Sequence, residues 1–231
     1  NEGAPQYRLY LADPAAPDRA HWREIVPPRE DAVLDGFLIT KSALGLSYLE
    51  RASSRLRVTD LEGGNIREIA LPTIGSLFGW GGAPDVDELF YGFSSYTVPP
   101  SVYRIEPGRG SQELWQEVDV DIGPDRFVVR QVSYSSKDGT EVTMFLVHRK
   151  DLVRDAANPT YLTGYGGFNI PMMPGFARSL LAWLEQGGVL AVPNLRGGGE
   201  YGEGWHHGGM LATKQNTFDD FIAAAEYLIR E

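Results

Sequence analysis

The 231-residue sequence contains no cysteine, and this absence removes disulfide bonds, thiolate zinc sites and cysteine nucleophiles together. No stretch approaches the roughly 18 consecutive apolar residues that a membrane span needs. The first residues form neither a basic nor an apolar segment, so the sequence predicts no signal peptide. With 42% hydrophobic and 23% charged residues, the chain has the composition of a globular protein with one or two packed cores.

Histidine is scarce, with four copies, and their positions do not predict a metal site. His206 and His207 are adjacent, whereas a metal pair of the HExxH kind occupies positions i and i+4 of one helix face. His21 lies in a strand-rich region and His148 ends a predicted strand. The sequence also lacks G-x-S-x-G, the strained turn that presents a nucleophilic serine in α/β-hydrolases. A complete Ser-His-acid arrangement therefore cannot be assembled from these residues.

The formal charge is −10 and is unevenly distributed. Residues 1–124 hold 11 Lys and Arg against 19 Asp and Glu, and residues 125–231 hold 10 against 12. An acidic front half argues against nucleic acid as a partner, because nucleic-acid binding needs a basic surface. We interpret the acidic residues as solvated faces that keep the protein soluble.

The first half contains many short runs rich in aromatic and β-branched residues, with no helical period. Two stretches, from about Leu34 to Leu71 and from about Gly75 to Trp115, share one layout of about four strands over roughly 40 residues, which is typical of β-propeller blades. A β-sandwich is the structural alternative. The predicted strands are residues 7–11, 22–26, 37–40, 46–50, 55–59, 66–70, 88–93, 102–105 and 113–117.

After Gly123 and Pro124 the pattern changes to a hairpin followed by alternating strands and helices. The hairpin joins residues 126–133 and 141–148 through Asp138-Gly139, a strong turn signal. The next predicted elements are a strand at 160–163, a helix at 176–186, a buried strand at 189–192 and an amphipathic helix that begins at Asn216-Thr217. This order predicts an α/β region.

Residues 197–202, GGGEYG, satisfy the G-x-G-x-x-G dinucleotide fingerprint, but their context does not. The fingerprint needs its third glycine to open a helix and an acid about 20 residues later at the end of a strand. Here an irregular loop is predicted to continue through residues 203–209. Asp219 and Asp220 fall in the first turn of the last predicted helix, where acids stabilise the helix terminus. We interpret the run as a glycine-rich loop that adopts unusual backbone angles.

A second glycine-rich loop, GYGGF at residues 164–168, follows a predicted strand. Glycines let a backbone approach a substrate closely, and a tyrosine hydroxyl in such a loop could donate to a developing oxyanion. The alternative is an ordinary turn with two core aromatic side chains. The spacing alone leaves both readings open.

Four segments of the second half follow one another in a characteristic order: TGYGGFNI at 163–170, GGVLAV at 187–192, LRGGGEYG at 195–202 and KQNTFDDF at 214–221. Together with Trp205-His206, they resemble prolyl oligopeptidases, a family of serine peptidases. The resemblance covers residues 160–231, and the hairpin at 136–140 fits the start of that family's catalytic region. The front half is similar to the family's β-propeller in general layout.

The resemblance implies a partial α/β-hydrolase fold joined to a partial β-propeller, with residues 1–124 as its last blades and 125–231 as the N-terminal part of the catalytic domain. It implies hydrolysis of short peptides on the carboxyl side of proline through an acyl-enzyme, without a cofactor. Tyr165 is similar to the tyrosine whose hydroxyl forms half of the oxyanion hole. Phe168 resembles an aromatic residue lining the S1 pocket, which accepts proline.

The resemblance also implies that the nucleophile, acid and base lie outside this chain, whose last predicted helix is still in progress at Glu231. We therefore expect a fragment that is inactive by itself. The expected partners are short proline-containing peptides and the remainder of its own polypeptide, with no nucleic acid and no membrane. Two alternatives stay open: an oligopeptidase B-like peptidase, and a non-enzymatic module that binds peptides or partners. The resemblance favours the cytoplasm, with the periplasm as the alternative.

Overall fold

The structure is a computed structural model that describes residues 3–120, 123, 126–155 and 157–231. The first half of the described chain is built from strands and one short 3-10 turn, Arg19–His21. Its strands are β1 (Leu9–Leu11), β2 (Arg23–Val26), β3 (Val33–Ile39), β4 (Ala43–Glu50), β5 (Ser53–Asp60), β6 (Arg67–Ile69), β7 (Ser76–Gly82), β8 (Leu89–Ser94), β9 (Ser101–Glu106) and β10 (Ser111–Glu117).

Two four-stranded antiparallel meanders dominate this half. Their strand orders are β3-β4-β5-β6 and β7-β8-β9-β10, and β1 pairs with β2 in a separate two-stranded piece. In each meander every strand pairs with its neighbours along the chain. That order is typical of propeller blades, whereas Greek-key sandwiches place non-consecutive strands side by side. The predicted repeat of two similar four-stranded units is confirmed.

One apolar cluster packs the two meanders against each other. Leu89, Tyr91 and Phe93 of β8 are fully buried in it, and they are spaced by two residues, so they share one face of the strand. Ile105 of the neighbouring strand β9 and Leu56 of β5 in the other meander belong to the same cluster. The spacing of these apolar residues along β8 therefore indicates that one face of its sheet packs against the other meander.

The predicted strands did not include β7, although the four-strand layout of the second stretch needed a strand at this place. The strand spells SLFGWGG, and glycine inside a strand weakens the signal because it offers no side chain to pack. Its pairing with β8 shifts between Phe78 and Trp80, where Gly79 has a φ of 49°. The strand forms because β8 supplies a paired edge, and the extra residue is absorbed as a bulge.

The second half is an α/β unit. Its sheet has the order β11-β12-β14-β13, in which β13 and β14 are parallel and the other pairs are antiparallel. None of the helices in the described residues combines the length and apolar character of a membrane span. The elements are β11 (Phe127–Ser135), β12 (Glu141–Arg149), β13 (Thr160–Leu162), α1 (Arg178–Glu185), β14 (Val189–Pro193), α2 (Glu203–His207), a 3-10 turn (Leu211–Thr213) and α3 (Gln215–Arg230).

Helices cover both faces of this sheet. Phe145 and Val147 of β12 pack with Leu184 of α1, whereas Met144 and Leu146 of the same strand belong to the cluster that α3 completes. Alternate residues of β12 therefore belong to two hydrophobic cores, one on each face of the sheet. The predicted domain boundary at Pro124 and Asp125 lies outside the described residues.

The start of α3 differs from the prediction. The helix begins at Gln215, and neither Asn216 nor Thr217 caps it. The Asn216 side chain donates to the Gly208 carbonyl at 2.9 Å, and the Thr217 hydroxyl donates to the Arg196 carbonyl at 2.7 Å. Both polar side chains are used to bind the preceding loop, because that loop is buried and its carbonyls need donors.

The role predicted for Asp220 is also wrong. The first turn of α3 contains no acidic residue, and the Asp220 side chain is fully buried. Its carboxylate lies 2.6 Å from Nη2 of Arg196 and 3.0 Å from Nε, while the Ser136 hydroxyl donates to it at 2.6 Å. Arg196 also reaches Asp138 in the hairpin turn at 2.6 Å, and this guanidinium holds the pKa of Asp138 below its usual range. One ion pair thus joins the hairpin, the segment after β14 and α3.

We expect Asp220→Asn to lower the free energy of unfolding by about 3 kcal/mol, because the Arg196 guanidinium would stay buried with only Asp138 to balance it. Asp219→Asn is the matched control: the neighbouring carboxylate accepts a bond from Gln215 and faces Lys137, and its loss should change stability by less than about 0.5 kcal/mol. Urea denaturation of both variants measures the difference. Equal stabilities would contradict the role given to this ion pair.

Candidate functional site

Two loops meet where the parallel strands end. Residues 163–170 follow β13 and residues 194–202 follow β14, so both leave the sheet at the carboxyl ends of adjacent parallel strands. In α/β sheets this edge is where ligands bind, because the loops diverge there and leave a crevice. The two glycine-rich segments singled out in the sequence therefore belong to one site.

The first loop is held against α3 at Gly166. The ammonium of Lys214 donates to the Gly166 carbonyl at 2.5 Å. Gly166 has a φ of 61°, and a Cβ there would lie 2.4 Å from the Thr217 methyl and 2.8 Å from Leu195. Only glycine fits this position. The loop backbone therefore packs directly against Thr217 and Leu195, next to the Arg196–Asp220 ion pair.

A tight turn at Phe168 and Asn169 follows. Gly167 pairs with Ile170 across it, the Ile170 amide donates to the Gly167 carbonyl at 3.0 Å, and the two central residues have φ values of 54° and 58°. Type I′ turns have this sign of φ at both central positions and strongly favour Asn and Gly. A phenylalanine with positive φ is unusual, and such strained residues cluster at functional sites.

The aromatic side chains of this loop face solvent. Phe168 is 82% exposed and Tyr165 is 49% exposed, and their ring centroids lie 6.5 Å apart. The alternative reading of two core aromatics is therefore wrong. Among the described residues, no group hydrogen-bonds to the Tyr165 hydroxyl, so it can donate to a ligand. The arrangement offers one hydroxyl donor beside one apolar face.

The His206 ring contacts the backbone of this turn at Asn169. The Asn169 amide donates to the Gly197 carbonyl at 3.1 Å and lies 3.2 Å from Nδ1 of His206, which is itself 2.9 Å from the Gly197 carbonyl. His206 belongs to α2, in a stretch for which the sequence predicted an irregular loop. That expectation is corrected: residues 203–207 form a short helix, which the surrounding glycines obscured.

A buried polar group lies behind the second loop. Glu200 is 1% exposed, and its Oε1 accepts the Met172 amide at 2.8 Å, while Oε2 has no partner among the described residues. Burial raises the pKa of Glu200 to about 7. Asn194, also buried, donates to the Met172 carbonyl at 3.1 Å and accepts the Thr143 hydroxyl at 2.9 Å. These contacts fix the course of the chain after Ile170.

Sequence reasoning did not identify Glu200, Asn194 or His206 as site-supporting residues. Glu200 stood inside a recognised motif, but the motif does not indicate that its carboxyl is buried. Tyr165 and Phe168, the two predicted site residues, lie together in the structure. Their predicted roles in oxyanion and proline binding are taken up below as proposals.

Comparison with known proteins gives two family matches. Residues 1–118 match the model described as "Prolyl oligopeptidase, N-terminal beta-propeller domain", and residues 174–231 match the one described as "Prolyl oligopeptidase family". The first match covers the two meanders and sets the β-sandwich alternative aside. The mixed sheet and the second match both agree with the predicted partial hydrolase domain.

Similar individual proteins extend beyond this chain. It is 38% identical to a prolyl endopeptidase of Elizabethkingia miricola, over 99% of this chain and 32% of that protein. It is 36% identical to prolyl oligopeptidase ophP of Omphalotus olearius, over 99% of this chain and 31% of that protein. The chain spans about a third of the length of the curated relatives it matches.

Two solved structures match closely. One, from a mechanistic study of two prolyl endopeptidases, has a TM-score of 0.95 at 51% identity over 99% of this chain and 34% of that one. Prolyl oligopeptidase B of Galerina marginata, bound to a 35mer hydrolysis and macrocyclization substrate, has a TM-score of 0.92 at 31% identity over 99% of this chain and 32% of that one.

The buried carboxyl predicts a pH dependence of stability. Because the pKa of Glu200 is about 7 when folded and roughly 4.3 when unfolded, the folded state binds more protons between these values, and stability falls as pH rises through that window. Relative to Glu200→Gln, the unsubstituted protein should lose about 3 kcal/mol between pH 5 and pH 8.5.

Chemical denaturation at the two pH values measures this difference. Glu113→Gln is the matched control, since it removes one exposed carboxylate of β10, which binds Arg104 in the other half of the chain. Parallel pH curves for the unsubstituted protein and Glu200→Gln would contradict the assignment.

Proposed function

The chain belongs to the prolyl oligopeptidase family, and from that membership we propose that the whole protein hydrolyses short peptides on the carboxyl side of proline through an acyl-enzyme. The observation that carries the proposal is the exposed pair of Tyr165 and Phe168 in the loop after β13, at the sheet edge where β14 also ends. The relatives named above are prolyl endopeptidases and oligopeptidases, and one was solved with a peptide substrate bound.

In this proposal the Tyr165 hydroxyl is one donor of the oxyanion hole. When a nucleophile attacks the peptide carbonyl, negative charge grows on the carbonyl oxygen, and a donor already in place stabilises it without reorganisation. Two contacts support the positioning of this tyrosine: Lys214 holds the next carbonyl, and Gly166 lies against Thr217 without an intervening side chain. The loop backbone is therefore fixed while the side chain stays free.

Phe168 is proposed to form one wall of the proline pocket. The ring of proline is apolar and carries no amide hydrogen, so it is matched by a flat apolar surface that asks for no hydrogen bond. A peptidase that cuts after arginine or lysine would need a carboxylate in the same place. The exposed phenyl ring at the tip of a strained turn favours proline over a cationic side chain.

The nucleophile, base and acid are not supplied by this chain and are assigned to the rest of the polypeptide. This chain has no G-x-S-x-G, and it covers about a third of its relatives. We propose that the nucleophile, base and acid come from the remainder, and that residues 1–231 alone are inactive. We further propose a division at residues 124 and 125, between the last blades of the propeller and the first part of the hydrolase domain. The switch from meanders to mixed sheet between β10 and β11 supports that division.

Tyr165→Phe in the whole protein should lower kcat for a proline-containing peptide by about 100- to 1000-fold, because one oxyanion donor is removed. KM should change little, since the ground-state carbonyl gains less from that donor than the oxyanion does. Tyr161→Phe, which removes the hydroxyl of another exposed tyrosine on β13, is the control and should retain full turnover. Unchanged kcat in Tyr165→Phe would contradict the role.

Phe168→Ala should raise KM for post-proline cleavage roughly tenfold, because the substrate ring loses an apolar wall. The stability of the folded protein should change by less than about 0.5 kcal/mol, since the phenyl ring is 82% exposed. Steady-state kinetics and urea denaturation of the same variant separate the two effects. A large loss of stability with unchanged KM would indicate a structural residue instead.

A further inference from the structure

A short segment near the beginning of the chain joins the blades to the candidate site. Residues 5–7 lie on the first meander: the Leu34 amide of β3 donates to the Gln6 carbonyl at 3.0 Å, and the Tyr7 ring packs on the buried cluster that contains Leu34 and Leu46. The Tyr7 amide donates to the Ala4 carbonyl at 2.8 Å. The segment is thus anchored to the blade side of the molecule.

The same segment contacts the second half of the chain. The Tyr7 hydroxyl donates to Oε1 of Glu203 at 2.8 Å, Nε2 of the Gln6 side chain donates to the Tyr201 carbonyl at 3.1 Å, and the backbone amide of Glu203 donates to the Pro5 carbonyl at 3.3 Å. Tyr7 has a φ of 63°, a conformation that is rare for a tyrosine. These three contacts, together with the anchoring on β3, hold it there.

The glycine-rich loop at residues 197–202 lies between residues 5–7 and the Phe168 turn. A Cβ on Gly202 would lie 2.7 Å from the Pro5 carbonyl, and one on Gly199 would lie 2.5 Å from the Asn169 carbonyl. The segment, the loop and the turn therefore pack backbone on backbone. This close packing explains glycine at both positions without any dinucleotide.

Tyr7 is connected to the turn through α2. Its hydroxyl binds Glu203, the first residue of α2, and Nδ1 of His206 in the same helix lies 3.2 Å from the Asn169 amide. Asn169 is the second residue of the strained turn, and Phe168 is the first. A residue packed on the blades thus binds the short helix that contacts the backbone of the turn.

We propose that Tyr7 is a positioning residue for the Phe168 turn, so that the contact between the blades and the α/β unit sets the shape of the proline-accepting surface. This inference rests on the proposed function, because it assumes that Phe168 contacts the proline of the substrate. Two adjacent residues with positive φ, one of them a phenylalanine, have easier conformations available. With Tyr7 in place, its bond to Glu203 holds α2 against the turn, and the turn keeps the observed conformation.

The test uses the whole protein and two peptide substrates that differ only in carrying proline or alanine before the cleaved bond. Tyr7→Phe removes one oxygen and keeps the ring that packs on the blade. It should lower the ratio of kcat/KM for proline over alanine by about three- to tenfold, mainly through KM, because a smaller fraction of molecules holds the competent turn.

Two further variants make the result interpretable. Tyr10→Phe removes the hydroxyl of a neighbouring tyrosine that binds Arg8, and it should leave the ratio unchanged. Glu203→Gln keeps an acceptor for Tyr7 without the charge, so its effect should be in the same direction and smaller. A purely structural role of Tyr7 would lower the melting temperature but leave the proline-to-alanine ratio intact.

The outcomes separate this inference from the proposed function. If the unsubstituted protein cleaves after proline and Tyr7→Phe keeps the same ratio as Tyr10→Phe, the positioning role of Tyr7 is overturned and the function stands. If the unsubstituted protein does not prefer proline at all, the proposed function fails, and the inference fails with it. A ratio that is lowered in Tyr7→Phe, and less so in Glu203→Gln, but unchanged in Tyr10→Phe supports both.

Discussion

The contact between the Arg196 guanidinium and the Asp220 carboxylate holds together the segments from which the candidate site is built. Both groups are almost fully removed from water, and the desolvation of two charges is repaid only when their remaining donors and acceptors are satisfied. Ser136, Asp138 and Thr140 complete that shell from the hairpin turn. The ion pair therefore fixes the β11–β12 hairpin, the end of β14 and α3 in one arrangement.

The site loops depend on this arrangement through backbone contacts. The Arg196 carbonyl accepts the Thr217 hydroxyl, and the next carbonyl, that of Gly197, accepts the amide of Asn169 in the strained turn. Asn169 of this turn is thus hydrogen-bonded to the residue that directly follows Arg196 of the buried charge pair. A rigid support of this kind lets a loop keep an unfavourable conformation, because the surrounding contacts over-determine it.

Much of the architecture could be predicted from local patterns. The alternation at Leu89, Tyr91 and Phe93 and the apolar run of β14 report burial directly, since each residue's environment follows from strand geometry. The glycine-rich β7 did not show this alternation. Asp220 looked like a helix-terminus acid because its partner, Arg196, is 24 residues away in the sequence. Contacts at such separations depend on tertiary packing, which spacing alone does not encode.

We have proposed that Tyr165 and Phe168 form the oxyanion donor and the proline-binding surface of a serine peptidase. The most direct measurement is a crystal structure of the whole protein with a peptide aldehyde ending in prolinal, which forms a hemiacetal with a nucleophilic serine. We expect the Tyr165 hydroxyl within hydrogen-bonding distance of the hemiacetal oxygen and the Phe168 ring against the pyrrolidine ring. A bound inhibitor with its proline in another pocket, and no contact to either side chain, would contradict it.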